Sequence, residues 1–191
     1  DCTMKRLHKR IMTACLALSM ALAMAAPAMA AETRAIFSPV GHIVRISACG
    51  TSAGPALRAT GSTSQSRVDS STYNGSSKQK WRVAGSGNYA QVFTMQDGSG
   101  TGLALNLYRT AISPGVYPVT IAAVTGNTDD TMFYFSNYDG HIFRAWLSQG
   151  PYAGYRLYND KSDSTASWSD VFFYSSDNEP NTLWSWSYTT V

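Results

Sequence analysis

Apolar and polar residues alternate with a period of two along most of the chain. Ile43-Val44-Arg45-Ile46, Tyr89-Ala90-Gln91-Val92-Phe93, Val119-Thr120-Ile121-Ala122, Met132-Phe133-Tyr134-Phe135 and Trp184-Ser185-Trp186-Ser187-Tyr188 are short and rich in aromatic and β-branched residues. Such runs predict strands, because branched and ring side chains pack well on a pleated, half-buried surface. Past the first thirty residues no stretch has the i, i+3, i+4, i+7 apolar spacing of a long helix. Clusters of turn formers separate the runs: Gly50 to Pro55, Asp97 to Gly102, Ser113-Pro114-Gly115, and Asp160 to Ser167. Turn chemistry at intervals of roughly 10 residues predicts an all-β sandwich or barrel.

Laid against itself at a step of about 50 residues, the chain repeats three times. Each copy opens on a strand: Gly41-His42-Ile43-Val44-Arg45-Ile46, Gly87-Asn88-Tyr89-Ala90-Gln91-Val92 and Gly140-His141-Ile142-Phe143-Arg144-Ala145. A glycine-containing loop follows, and then a second strand: Gly54-Pro55-Ala56-Leu57-Arg58-Ala59, Gly102-Leu103-Ala104-Leu105-Asn106-Leu107 and Gly154-Tyr155-Arg156-Leu157-Tyr158. Each copy closes on an aromatic, Trp81, Phe133 and Trp184, at separations of 52 and 51 positions. A unit of about four short strands cannot bury its apolar face alone. Three such units packed around a pseudo-threefold axis make a β-trefoil, a six-stranded barrel capped by three hairpins with the closing aromatics in the shared core. A β-sandwich is the rival fold, although it requires no threefold pattern. The expected organisation is a leader over 1–30, an N-terminal arm over 31–40 and a β-trefoil domain over 41–191.

The leader changes the charge picture. Met4 to Arg10 is a basic segment, Ile11 to Ala26 is an apolar run, and Pro27-Ala28-Met29-Ala30 ends in an A-x-A pattern, together the layout of a secretory signal peptide with a short upstream extension. The run is about 16 residues, short of the roughly 20 that span a bilayer, so no membrane span is expected. Export to the periplasm or beyond, after cleavage, is the expected localisation. Removal of Lys5, Arg6, Lys9, Arg10 and Asp1 from the 15 basic and 12 acidic residues leaves 11 of each. A mature chain near zero net charge has no electrostatic footprint for nucleic acid or an anionic membrane. Of the 3 cysteines only Cys49 lies beyond the leader, so the domain is held by its core, for which the chain supplies 7 Phe, 11 Tyr and 5 Trp.

Gly102-Leu103-Ala104-Leu105-Asn106-Leu107 and the Q-x-W spacing of Gln79-Lys80-Trp81 resemble the ricin-type lectin repeat, with Thr131 and Thr182 in place of the glutamine in the later copies. The resemblance covers most of residues 41–191. It implies a trefoil that binds glycans, with a sugar site built from an aspartate after the second-strand leucine, an aromatic on the third strand and an Asn before the closing aromatic. Arg58, Asn106 and Tyr158 occupy the aspartate position here. A sugar site needs a ring face for the apolar side of the sugar and polar groups that fix its hydroxyls. The third copy meets this with Tyr158, Asn159 and Asp160 at the second-strand end, Phe172-Phe173-Tyr174 as the platform, with Phe173 its central residue, and Asn181 before the closing aromatic. The second copy offers Asn106 and Asp130, with Tyr108 and Arg109, and the first is expected to be structural.

Catalytic motifs are absent in context. Gly50-Thr51-Ser52-Ala53-Gly54 matches G-x-S-x-G, but that motif works on a strand-turn-helix elbow and no helix pattern follows. His42 and His141 recur at equivalent repeat positions, which is repeat geometry, and no cluster has zinc spacing. Asp129-Asp130 and the Asp160 to Asp163 segment read as solvated turns, and Gly98 to Gly102 lacks the lysine and helix of a phosphate cradle. The expectation is a secreted, non-enzymatic carbohydrate-binding module without cofactor or metal, with a glycan or glycoconjugate as partner. It acts alone or as the cell-binding subunit of a toxin-like assembly with partner subunits. The alternative is a protein-binding trefoil, such as a protease inhibitor or toxin scaffold, that uses the loop Asp97 to Gly102 or Asp160 to Ser167. A secreted hydrolase is a distant third reading.

Overall fold

Strands form where the alternation predicts them and also in polar segments between. The computed structural model describes residues 39–175 and 181–190; the leader, most of the N-terminal arm and residues 176–180 lie outside the described residues. The first repeat contributes β1 (Ile43–Ala48), β2 (Ala56–Ala59), β3 (Val68–Ser71) and β4 (Trp81–Ser86). The second contributes β5 (Tyr89–Thr94), β6 (Leu103–Leu107), β7 (Val116–Ala123) and β8 (Phe133–Asp139), and the third β9 (Ile142–Leu147), β10 (Arg156–Asn159), β11 (Trp168–Tyr174) and β12 (Trp184–Tyr188). The described helical structure is a single 3-10 turn at Ser77–Gln79.

The first and last strands of each repeat close a ring. β1 pairs with β4, β4 with β5, β5 with β8, β8 with β9, β9 with β12, and β12 returns to β1, all antiparallel. A closed six-stranded ring has no open edge to manage, which a sandwich would have. The hairpins β2–β3, β6–β7 and β10–β11 cap one end, joined to one another through β3–β11, β7–β11 and the Arg67–Thr120 bridge. This is the β-trefoil, and the sandwich alternative is excluded.

The repeat is visible in the core. Trp81, Phe133 and Trp184 are buried with Leu57, Leu105 and Leu157, the equivalent leucines of the second strands. A buried indole needs a partner for its N–H. Trp81 Nε1 donates to the Leu57 carbonyl at 3.0 Å, and Trp184 Nε1 donates to the Leu157 carbonyl at 2.9 Å. Phe133 has no such group and packs on Phe173 at 5.7 Å between ring centroids. In the first copy the residue two positions before the closing aromatic staples the preceding turn. Gln79 Nε2 donates to the Ser71 and Thr72 carbonyls while its Oε1 accepts from the Asn74 N–H. In the second copy Thr131 Oγ1 accepts from Gln91 Nε2.

Candidate functional site

Strands β10 and β11 form the third-repeat hairpin, and period two divides its residues between two faces. Leu157, Asn159, Val171 and Phe173 point inward and are buried. Tyr158, Asp160, Phe172 and Tyr174 alternate with them and lie outside the core. Cross-strand pairing sets Tyr158 opposite Phe172, and Tyr158 meets Tyr174 edge to face at 5.5 Å.

Three expected sugar contacts therefore change role. Phe173 is wholly enclosed against Phe133, so it is core and offers no platform; its neighbours Phe172 and Tyr174 hold the outward positions. Asn159 is also wholly buried. Its Oδ1 accepts from Ser70 Oγ at 2.6 Å and its Nδ2 donates to the Lys161 carbonyl at 2.6 Å, which locks the first-repeat and third-repeat hairpins together. Asn181 is nearly buried and works from inside: its Nδ2 donates to the carbonyls of Asn159 and Asp160, and its own carbonyl accepts from the Asn159 N–H. Asn181 thus holds the loop that presents Asp160. Tyr158 and Asp160 remain as surface groups of this face.

The same face carries an aromatic that the sequence reading did not select. Trp168 opens β11 and exposes 43% of its surface. Its indole N–H donates to Asp69 Oδ2 at 2.8 Å. Asp69, almost buried on β3, is gripped in turn by Arg58, whose Nε and Nη2 reach its two carboxylate oxygens at 2.9 and 2.6 Å. That hydrogen bonding, with the attraction of the carboxylate, raises the Arg58 pKa against an opposing effect of burial. The Lys161 ammonium lies 5.6 Å from the Trp168 ring centroid, close enough for a cation–π contact. An exposed ring tethered at its edge to a carboxylate and flanked by an ammonium is pre-organised for stacking. The first repeat, expected to be purely structural, supplies Arg58 and Asp69 to this arrangement. Trp168 sits in a polar stretch, Ser167 to Asp170, so only its pairing with β3 could reveal it.

The second-repeat residues form a separate group. Asn106 Nδ2 donates to the Leu107 carbonyl and to Thr120 Oγ1, so the amide hydrogens are engaged within its own hairpin. Asp130 Oδ2 accepts from Arg109 Nε at 2.7 Å, and that partner raises the Arg109 pKa. The Arg109 guanidinium lies 5.9 Å from the Tyr152 ring, which packs with Tyr117 and Tyr155 in a three-ring cluster at centroid distances of 4.9 to 5.9 Å. The backbone N–H of Leu107 donates to the Asp130 carbonyl, placing both expected residues on one edge of the hairpin. Two grooves open among the described residues, the first along β7 of this hairpin through Pro118 and Thr120. That groove, of about 400 Å³, also runs beside Arg67, Tyr108 and Ile112. The other, of about 550 Å³, runs beside Arg45, Tyr73 and Tyr188.

The G-x-S-x-G segment forms the turn between the antiparallel strands β1 and β2, not an elbow into a helix. A Cβ on Gly54 would lie 2.2 Å from the Ala48 carbonyl oxygen, so turn packing accounts for this glycine. The Ser52 carbonyl accepts from the Arg45 guanidinium. Next to this turn the Cys49 thiol contacts the Lys161 carbonyl; burial, then the Asp163 charge, push its pKa up. Among the described residues no group of three His, Cys, Asp or Glu could hold a metal ion.

Neither a protein-family model nor a curated protein sequence matches the chain. Solved structures do. The designed threefold-symmetric protein ThreeFoil is 18% identical with a TM-score of 0.63, over 77% of this chain and 99% of that one. A ricin B-like lectin of Macrolepiota procera, solved with lactose, is 15% identical with a TM-score of 0.54, over 78% of this chain and 97% of that one. A mosquitocidal holotoxin is 15% identical with a TM-score of 0.62, over 78% of this chain and 17% of that one. The chain has the β-trefoil fold that ricin B-like lectins share.

Proposed function

We propose that this protein is a secreted, non-enzymatic carbohydrate-binding module whose site is the outward face of the third-repeat hairpin. The observation that carries the reading is the ring set Tyr158, Phe172, Tyr174 and edge-tethered Trp168, with Asp160 and Lys161 beside it. Ring faces stack on the C–H side of a sugar while carboxylate and ammonium groups orient its hydroxyls. The likeness to a lectin solved with lactose supports glycan as the ligand class. The likeness to part of a holotoxin supports a role as the cell-binding part of a larger assembly. A site of this kind binds weakly, and a second one at Asp130 and Arg109 would add avidity.

The test is a glycan-array screen of the purified protein beside Tyr158→Ala and Trp168→Ala. Wild-type signals should fall at least tenfold in both variants while thermal melting stays cooperative. Silence from a folded wild-type protein, or signals that neither variant changes, would overturn the reading.

One observation favours the protein-binding alternative. Asp97 accepts the backbone N–H groups of Ser99, Gly100 and Gly102, which stiffens an exposed loop. Slight burial raises its pKa, but these hydrogen bonds outweigh that and hold the carboxyl below its ordinary value. Inhibition of a protease that is lost when residues 97–102 are replaced would establish that reading instead.

A further inference from the structure

The aromatic face of the third repeat does not end at its hairpin. Cross-strand pairing sets Tyr174 on β11 opposite Arg156 on β10, and Arg156 opposite Trp146 on β9. Trp146 stands opposite Tyr134 on β8, and Tyr134 opposite Tyr89 on β5. The side chains touch as well as align. Ring centroids are 5.1 Å apart for Tyr89 and Tyr134 and 5.0 Å for Tyr134 and Trp146, and the Arg156 guanidinium carbon is 6.0 Å from the Trp146 ring. Four strand spacings of about 4.8 Å make this row roughly 19 Å long, more than one sugar ring can cover.

Sheet stability explains only part of the row. Cross-strand aromatic pairs strengthen an antiparallel ladder, which accounts for half-buried Tyr134 and Trp146. Tyr89, at the start of β5, leaves 54% of its surface in water, where a polar residue would serve the fold as well. The row from Tyr89 to Tyr174 contains no Leu, Ile, Val or Met, the knobs that an apolar helix or strand would pack between. Rings with polar edges and a guanidinium suit a ligand that is apolar on its faces and polar around its rim. The rings are also turned relative to one another, by 61° for Tyr89 and Tyr134 and 41° for Tyr134 and Trp146. Such a strip offers successive faces to units that twist along a chain, rather than one plane to a flat surface.

We propose that Tyr89, Tyr134 and Trp146, with Arg156, form a strip that binds a linear oligosaccharide chain and extends the third-repeat site, an inference that rests on the carbohydrate reading above. None of these residues occupies a position that the lectin resemblance assigns to sugar binding. The protein is then a reader of extended glycans, with the hairpin face and the barrel wall holding successive units of one chain.

Calorimetric titration of the purified protein with soluble gluco-, xylo-, manno-, galacto- and N-acetylglucosamine oligomers of one to six units tests this. Affinity should climb with length in the series that binds. Tyr89→Ala and Trp146→Ala should each cut the gain from one unit to six by about three- to tenfold. Tyr89 is exposed at a strand start, so its variant gives a reading even where Trp146→Ala fails to fold. Affinity that does not grow with length, or a gain untouched in the folded variants, overturns the strip and leaves the hairpin site standing. Silence of the folded wild-type protein at every length overturns the carbohydrate reading and the strip with it.

Discussion

Asn181 shows how a residue placed well by pattern can work from the inside. It stands where the lectin resemblance implies a sugar contact, yet both hydrogens of its amide go to the carbonyls of Asn159 and Asp160. Replacing it with Ala leaves two nearly buried acceptors without their donor, a loss of about 1 to 3 kcal/mol. Asn181→Ala should therefore lower the urea midpoint with an unchanged m-value, and any fall in glycan affinity should follow from a loosened Asp160 loop. A variant that loses binding at full stability would make Asn181 a direct ligand contact instead. The sequence marked this neighbourhood but could not divide its residues by face. Phe172-Phe173-Tyr174 read as one platform until the strand's phase was known, and a shift of one residue would exchange core and surface. Trp168 lay further from sight, because its value as a platform comes from Asp69 and Arg58, about a hundred positions earlier in the chain.

Among the elements, the barrel strands were legible because their alternation is strong and each repeat closes on a large ring. Strand β3 was not. Its sequence Val-Asp-Ser-Ser reads as loop, yet all four residues are buried. Hydrogen bonds make that burial tolerable: Asp69 is held by Arg58, Ser70 reaches Asn159, and Ser71 accepts from Gln79. Polar satisfaction of this kind depends on partners outside the strand, Arg58 and Gln79 in the same repeat and Asn159 in the third, and leaves no periodic trace. The closing motif gives a sharper test. The indoles of Trp81 and Trp184 each cap a second-strand carbonyl, whereas Phe133 fills the same place in the second repeat without that bond. Trp184→Phe keeps most of the apolar volume and orphans the Leu157 carbonyl, so it should cost about 1 to 3 kcal/mol. Trp184→Ala adds a cavity and should cost about 3 to 5 kcal/mol. Urea titrations of the two variants should keep this order; a Trp184→Phe variant as stable as the wild type would mean that the indole hydrogen bond contributes nothing.

On the scale of the whole molecule, the three repeats are one cooperative unit because the barrel ring joins the beginning of the domain to its end. β12 pairs with β1 over five residue pairs, from Val44 with Tyr188 to Ala48 with Trp184, and with β9 through Trp184 and Ser185. Removing it would leave β1 and β9 with unpaired edges and strip the core of Trp184 and Trp186 together. Neither remaining repeat can compensate, since each buries its closing aromatic against strands supplied by the others. A chain ended after residue 180 should therefore lose the whole structure rather than one third of it. Far-ultraviolet circular dichroism should show no cooperative transition in urea, and amides of β4 and β5, on the ring but not paired to β12, should exchange as fast as those of β9. Protection that survives in β4 and β5 would mean that the first two repeats hold a core of their own, and that the threefold pattern records three partly independent modules rather than one closed barrel.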